Sequence, residues 1–270
     1  MTPQEAQFTR LNFGNLKIEV HPTRKAAGAA AAQAAAQEML RLAAGGRELA
    51  VIFATGASQM ETLDALTAID GLPWDRVTGF HMDEYIGLSE EHRASFRRYL
   101  RERLTGRVRM RRFHEIDGNA VDVDANARNY GDALNAARPA LCLLGIGENG
   151  HLAFNDPAEA DFRDEQAMKV VTLDNACRQQ QVAEGWFASR EEVPRQALTL
   201  TIPTLLRVPK LIASVPGSRK AAIVRRTLAE PISTACPSTI LRTHPNTTIY
   251  LDAESAAELK ELRSQSGDAR

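Results

Sequence analysis

Short apolar runs that end in small residues and lead into helical stretches constrain this chain more than any other feature. Leu49 to Ala54, Ala140 to Leu144 and Leu211 to Val215 are such runs. A strand apolar on both sides needs cover on both faces of its sheet, and crossover helices supply it. Leu16 to Val20, Val77 to Phe80 and Thr248 to Leu251 read as further strands. Between them lie helical stretches: Pro22 to Ala44, Ser95 to Leu104, Asp122 to Ala137, Asn175 to Trp186 and Glu254 to Leu262. The first is rich in alanine, the best helix former, and Gly45-Gly46 ends it. Arg107 to Asn119 reads as a strand edge with a loop, Ala158 to Ala167 as a loop, and Leu198 to Leu206 only as an apolar run. The alternation predicts an α/β fold: a single doubly wound, mostly parallel sheet with helices on both faces, Rossmann-like. With no linker or repeat, residues 1–270 form one domain, and the tail from Ser264 is expected to be disordered.

The stretch from Leu141 to Pro157 sits at mid-chain. An apolar strand enters a glycine-rich turn, the turn presents His151, and Asp156 follows five residues later. Ligands of open α/β sheets bind beyond the carboxyl ends of such strands, so Asn149, His151 and Asp156 stand where chemistry is usually done. Gly145, Gly147 and Gly150 also spell the dinucleotide pattern G-x-G-x-x-G. That pattern requires a helix directly after the glycines, whereas Asn155-Asp156-Pro157 is turn chemistry. A nicotinamide cofactor is therefore not expected, and no cofactor is implied.

Two other turns draw attention. Thr55-Gly56-Ala57-Ser58 follows a strand and precedes a helix, which suits an anion cradle of free N–H groups and equally a helix cap by Ser58. Pro216-Gly217-Ser218-Arg219-Lys220 repeats the arrangement. A lysine in a first helical turn opposes the helix dipole, and a bound anion would offset that cost. His81, Asp83 and Glu84 end the third strand. Strand alternation points successive side chains apart. One catalytic carboxylate, Asp83, with its neighbours holding it, is thus favoured over a metal site, beside the plainer reading of a solvated loop aspartate.

Composition excludes several classes. A net charge of -1 gives no case for nucleic acid or an anionic membrane surface. The three cysteines form no C-x-x-C pair, so neither a disulfide framework nor a cysteine zinc site is indicated. No signal peptide and no apolar run near ~20 residues is visible, so a cytoplasmic location is expected.

Phe80-His81-Met82-Asp83-Glu84-Tyr85-Ile86-Gly87-Leu88, together with Gly145 through Pro157, resembles the glucosamine-6-phosphate deaminase (isomerase) family. The likeness runs from the Thr55 turn to the Lys220 turn. The 6-phosphogluconolactonases are similar in fold but share these motifs more loosely. The resemblance implies conversion of a 2-amino-2-deoxyaldose 6-phosphate to fructose 6-phosphate and ammonia, without metal or cofactor. It implies Asp83 as the base at C2 and C1, and His151 as the group assisting ring opening. Residues 149 and 156 would hold His151, and the Thr55–Ser58 turn and Lys220 would hold phosphate. Glu84 and Gly150 join the expected substrate-binding set, and a homo-oligomer is open. The chain departs from the family where Asn149 replaces aspartate and Asp156 replaces glutamate. The lid arginine has no clean match, Arg178 being merely nearby, and the basic residues of the family's allosteric site are missing from Glu159 to Met168. Alternatives are another epimer, isomerisation without deamination, lactone hydrolysis, and a non-catalytic sugar-phosphate-binding regulator.

Overall fold

The computed structural model describes residues 8–259. The chain opens with strands β1 (Thr9–Phe13) and β2 (Leu16–His21), then helix α1 (Arg24–Leu42), β3 (Leu49–Phe53), α2 (Met60–Thr67), β4 (Val77–His81) and β5 (Asp83–Tyr85). Next come α3 (Phe96–Leu100), β6 (Arg112–His114), α4 (Val123–Ala137), β7 (Leu141–Leu144) and β8 (Met168–Thr172). The chain continues through α5 (Asn175–Ala183), β9 (Gln196–Leu200), α6 (Ile202–Leu206), β10 (Leu211–Ser214), α7 (Ala221–Ala229) and β11 (Thr247–Asp252).

Eight strands form the main sheet in the order β1-β2-β11-β10-β7-β3-β4-β6. Every neighbour is parallel except the β1–β2 hairpin at one edge. Alternation divides each buried strand between two cores. Ile52 and Ala50 face one side with Leu144, Leu211 and Ile223, whereas Val51 and Phe53 face the other with Ala35, Met39 and Leu63. The alanine run serves this second core: α1 lies so close to α2 that a Cβ on Gly28 would sit 2.5 Å from the Cβ of Glu61. The α/β class with a mostly parallel, doubly covered sheet is therefore correct.

A second sheet, antiparallel and three-stranded in the order β5-β9-β8, stands beside it. Asp83–Tyr85, expected to end the third strand, is instead an edge strand of this sheet, because the chain passes from one sheet to the other at Met82. The apolar run Leu198 to Leu206 divides into β9 and α6. The expected last helix is a series of turns over residues 253–258 and is helical at Leu259, while residues 260–262 and the tail from Ser264 lie outside the described residues. Among the described residues no helix is long and apolar enough to cross a membrane.

Candidate active site

Parallel strands deliver their carboxyl ends to one edge. β3, β4, β7 and β10 end side by side there, and the loops that follow them build one cleft. Thr55, Gly56, Ala57 and Ser58 line it after β3, Asp83 after β4, Gly145, Gly147 and His151 after β7, and Lys220 after β10. Gln59 ties the strand ends together: its Nε2 donates to the carbonyls of Leu144 at 3.1 Å and Ser214 at 3.4 Å.

Two of the three glycines in the central turn are there for close approach. A Cβ on Gly147 would sit 2.2 Å from His151 Nε2, so only glycine lets the imidazole lie on that backbone. A Cβ on Gly145 would meet Ser58 Oγ at 2.9 Å. No helix follows Gly150; residues 151–157 form turns and isolated bridges. The G-x-G-x-x-G pattern thus serves side-chain approach, not a pyrophosphate.

His151 Nδ1 and Asp156 Oδ1 are 2.9 Å apart. Asp156 is fully buried. Burial alone would raise its pKa, but contacts from His151, Asn149 Nδ2 at 2.9 Å and the Asp174 N–H at 3.0 Å outweigh it and hold the pKa below the ordinary value. An ionised Asp156 makes Nδ1 the protonated nitrogen and leaves Nε2, which has no hydrogen bond among the described residues, as the acceptor. Asn149 fixes the backbone too, its Oδ1 accepting the His151 N–H at 3.0 Å.

Asp83 is the opposite case. It is 6% exposed and its Oδ1 is buried without a hydrogen-bond partner. Burial, and then the neighbouring Glu84, push its pKa well above the carboxylate range. The small sheet fixes Asp83 relative to His151. Asp83 pairs with Thr199 across the β5–β9 register, the Thr199 hydroxyl accepts the Phe154 N–H at 3.0 Å, and the Leu200 N–H donates to Met82 O at 2.7 Å.

Glu84 and His81, the polar neighbours of Asp83, do not reach the cleft. Glu84, expected to touch substrate, is wholly buried and does not line it. Its carboxylate accepts the N–H groups of Tyr85, Phe96 and Arg97 and the Ser95 hydroxyl, so it anchors the start of α3. His81 accepts the Ile116 N–H at 2.7 Å, and burial pushes its pKa down to about 3. Gly150 packs instead against Cys236 and Ile223. Asn149 and Asp156 stand behind His151 rather than in the cleft wall.

At the other end, Lys220 is 7% exposed, and its side-chain ammonium makes no hydrogen bond among the described residues. Burial lowers its pKa, against the pull of Glu184 and Glu148. Ser58 caps no helix; its Oγ accepts from Gln59 Nε2 at 3.0 Å. Arg178 points elsewhere, donating to the carbonyls of Val193 at 3.1 Å and Arg190.

Several cleft residues were not foreseen. Gln180, Gln181 and Glu184 come from α5 and its end, and Phe96 from α3. The glutamine-rich sequence of α5 read only as a polar helix. Asp174 caps α5 through the Cys177 N–H and receives Asn149 Nδ2 at 3.1 Å. His151, Asp156 and Cys177 place donor atoms within 4.8 Å of one another, the geometry a metal would need. Burial raises the Cys177 thiol pKa, and Nδ1 already serves Asp156, so the set does not resemble a prepared metal site.

The family described as glucosamine-6-phosphate isomerases/6-phosphogluconolactonase matches residues 22–250. A glucosamine-6-phosphate deaminase from Exiguobacterium sp. is 35% identical over 204 residues, 74% of this chain and 78% of that protein. One from Arthrobacter sp. is 32% identical over 255 residues, 91% and 93% respectively. The solved structure of a monomeric glucosamine-6-phosphate deaminase superposes with a TM-score of 0.83 at 29% identity, covering 89% of this chain and 99% of that one. The 6-phosphogluconolactonase of Trypanosoma brucei shares the fold at a TM-score of 0.72 and 20% identity, over 90% and 98%. This chain belongs to the glucosamine-6-phosphate isomerase/6-phosphogluconolactonase family.

Proposed function

We propose that this protein is an amino-sugar phosphate deaminase, converting glucosamine 6-phosphate or an epimer, with water, to fructose 6-phosphate and ammonia. The observation that carries the reading is the pairing of an unpartnered carboxylate, Asp83, with the His151–Asp156 couple in one cleft that ends on Lys220. Relatives above 30% identity carry the deaminase name, which favours this chemistry over lactone hydrolysis.

The residues divide the work. The Thr55–Ser58 turn and Lys220 hold the phosphate, placing the sugar's far end between Asp83 and His151. Nε2 of His151 takes and returns the protons moved in opening the ring, and Asp156 supports the imidazolium. Asp83 removes the C2 proton of the open aldose and delivers it to C1, turning a C2 amine into a C2 imine that water cleaves to ketone and ammonia. A base must be ionised. The ammonium group of an arriving substrate opposes the burial that raises the Asp83 pKa.

The test is ammonia release from glucosamine, galactosamine and mannosamine 6-phosphates, with 6-phosphogluconolactone as control. Ammonia from at least one hexosamine phosphate is expected. Lactone hydrolysis without ammonia from any of them would reverse the reading.

A further inference from the structure

The turn after β3 is held from behind by two side chains that the sequence does not connect with it. Tyr99, from α3, donates its hydroxyl to the Gly56 carbonyl at 3.0 Å. Arg24, the first residue of α1, donates Nη2 to the Ala57 carbonyl at 3.0 Å. The guanidinium is aimed by Glu61, whose carboxylate receives Nε at 3.0 Å and Nη2 at 3.4 Å. A cation at a helix start is unfavourable on its own, and the first turn of α1 holds no acidic residue to compensate. Arg24 therefore sits where α1 gains nothing from it and where the turn does.

Peptide geometry converts these two bonds into a statement about the cleft. All peptide bonds among the described residues are trans, so each carbonyl points opposite to the N–H of the following residue. With the Gly56 carbonyl committed to Tyr99 and to the Gln59 N–H at 3.1 Å, the Ala57 N–H is turned the other way. With the Ala57 carbonyl committed to Arg24, so is the Ser58 N–H. Neither N–H makes a hydrogen bond among the described residues, and both residues line the cleft beside Lys220. Without Arg24 the Ala57–Ser58 plane of this small-residue turn can flip and present a carbonyl oxygen to an anion, and Tyr99 reinforces the hold that the Gln59 N–H already has on the plane before it.

We infer that Arg24 and Tyr99 are positioning residues for anion recognition, holding two peptide planes so that the Ala57 and Ser58 N–H groups face the substrate phosphate. The inference rests on the phosphate end of the proposed reading and adds its supports. The guanidinium acts through the turn, and its loss should read as weaker phosphate binding at nearly unchanged turnover.

The experiment measures two quantities on wild type, Arg24→Ala, Arg24→Lys and Tyr99→Phe: binding of inorganic phosphate by calorimetry, and KM and kcat for the hexosamine phosphate that the protein turns over. Each variant that loses a hydrogen bond to the turn should weaken phosphate binding and raise KM by about fivefold, the size of one such bond, with kcat within about twofold. Arg24→Lys, which keeps a donor, should recover part of the loss. A folded Arg24→Ala or Tyr99→Phe protein that binds phosphate as tightly as wild type overturns the inference, as does a wild type that binds none. If Arg24→Ala fails to fold, Tyr99→Phe removes one oxygen and still decides the matter. Phosphate binding lost in the variants while wild type releases no ammonia would uphold the inference and defeat the deaminase reading, so the two failures are distinguishable.

Discussion

Asp83 and Asp156 are both buried aspartates at the carboxyl edge of the sheet, yet the fold treats them oppositely. Asp156 is surrounded by contacts from His151, Asn149 and Asp174, and its pKa lies below the ordinary value. Asp83 has an oxygen with no partner, and burial pushes its pKa well above that value. Paired groups whose environments drive their pKa values apart mark a division of acid–base labour. A carboxylate already saturated with donors can orient a neighbour but has little left for a substrate. One deprived of donors is costly to the empty protein and reactive once a substrate supplies what is missing.

Replacing each by its amide is the sharpest test of that contrast. Asp83→Asn should lower kcat by roughly 10²–10⁴-fold and abolish exchange of the C2 proton with solvent. It should also raise the melting temperature at neutral pH. The sign follows from the raised pKa: as pH climbs from the unfolded value near ~3.9 toward the folded one, the charged form is increasingly penalised in the native state. Asparagine removes that penalty, so the stability gain should be present at pH 7 and vanish toward pH 3. A variant both inactive and less stable at pH 7 would show that Asp83 had partners this contrast denies it.

Asp156→Asn should behave in the reverse sense. Its depressed pKa contributes stability above the unfolded value, lost as pH falls through the folded one. The variant should therefore melt lower at pH 7, by about 1–3 kcal/mol for a buried charge-assisted network. Activity should fall by up to roughly 100-fold, the effect of misplacing a catalytic group by about 1 Å. C2 exchange should remain detectable, since open-chain substrate also forms in solution. A loss as deep as that of Asp83→Asn would merge the two roles and undo the comparison.

How much of this was legible follows the same physics. Buried parallel strands announce themselves as apolar runs, so the main sheet and the turns at its carboxyl edge could be read directly. The first strand of the β1–β2 hairpin was not: Thr9–Phe13 is an edge strand, largely exposed, and only Leu11 and Phe13 pack on the core, too short a pattern to stand out. Nor could the small sheet, because Asp83–Tyr85 is three residues long and pairs with Ala197–Thr199, more than a hundred positions away. That missed pairing explains the misplaced Glu84. At the end of the third strand it was expected beside the cleft with Asp83; as a residue of β5 it points into the start of α3. Glu184 and the two glutamines of α5 were invisible for a different reason. Polar residues on a helix usually face water, and nothing local shows that this helix covers a cleft.

The same contrast between held and unheld groups recurs at the proposed phosphate end. Lys220 is nearly buried and its ammonium makes no hydrogen bond among the described residues, so it should answer the ligand directly. Lys220→Ala should raise KM for a phosphorylated substrate by about 10- to 100-fold, the worth of a charge-assisted contact, with a smaller change in kcat. An unchanged KM would make Lys220 a bystander.

Glu184 gives the smallest and most specific effect. Its carboxylate lines the cleft but is occupied, accepting from Gln180 Nε2 at 2.7 Å and Trp186 Nε1 at 3.2 Å. A negative group here supports the ammonium of Lys220 in the empty protein and opposes a dianionic phosphate in the complex. Glu184→Gln keeps the shape and one acceptor oxygen while removing the charge. KM should therefore fall by a few-fold, consistent with about 1 kcal/mol or less for a partly exposed pair. The benefit should shrink as salt is raised from 10 mM to 150 mM, because screening weakens the repulsion being removed. Steady-state kinetics at two ionic strengths decide it. A KM that rises instead would mean that Glu184 binds substrate, and an effect independent of salt would mean that it acts through packing rather than charge.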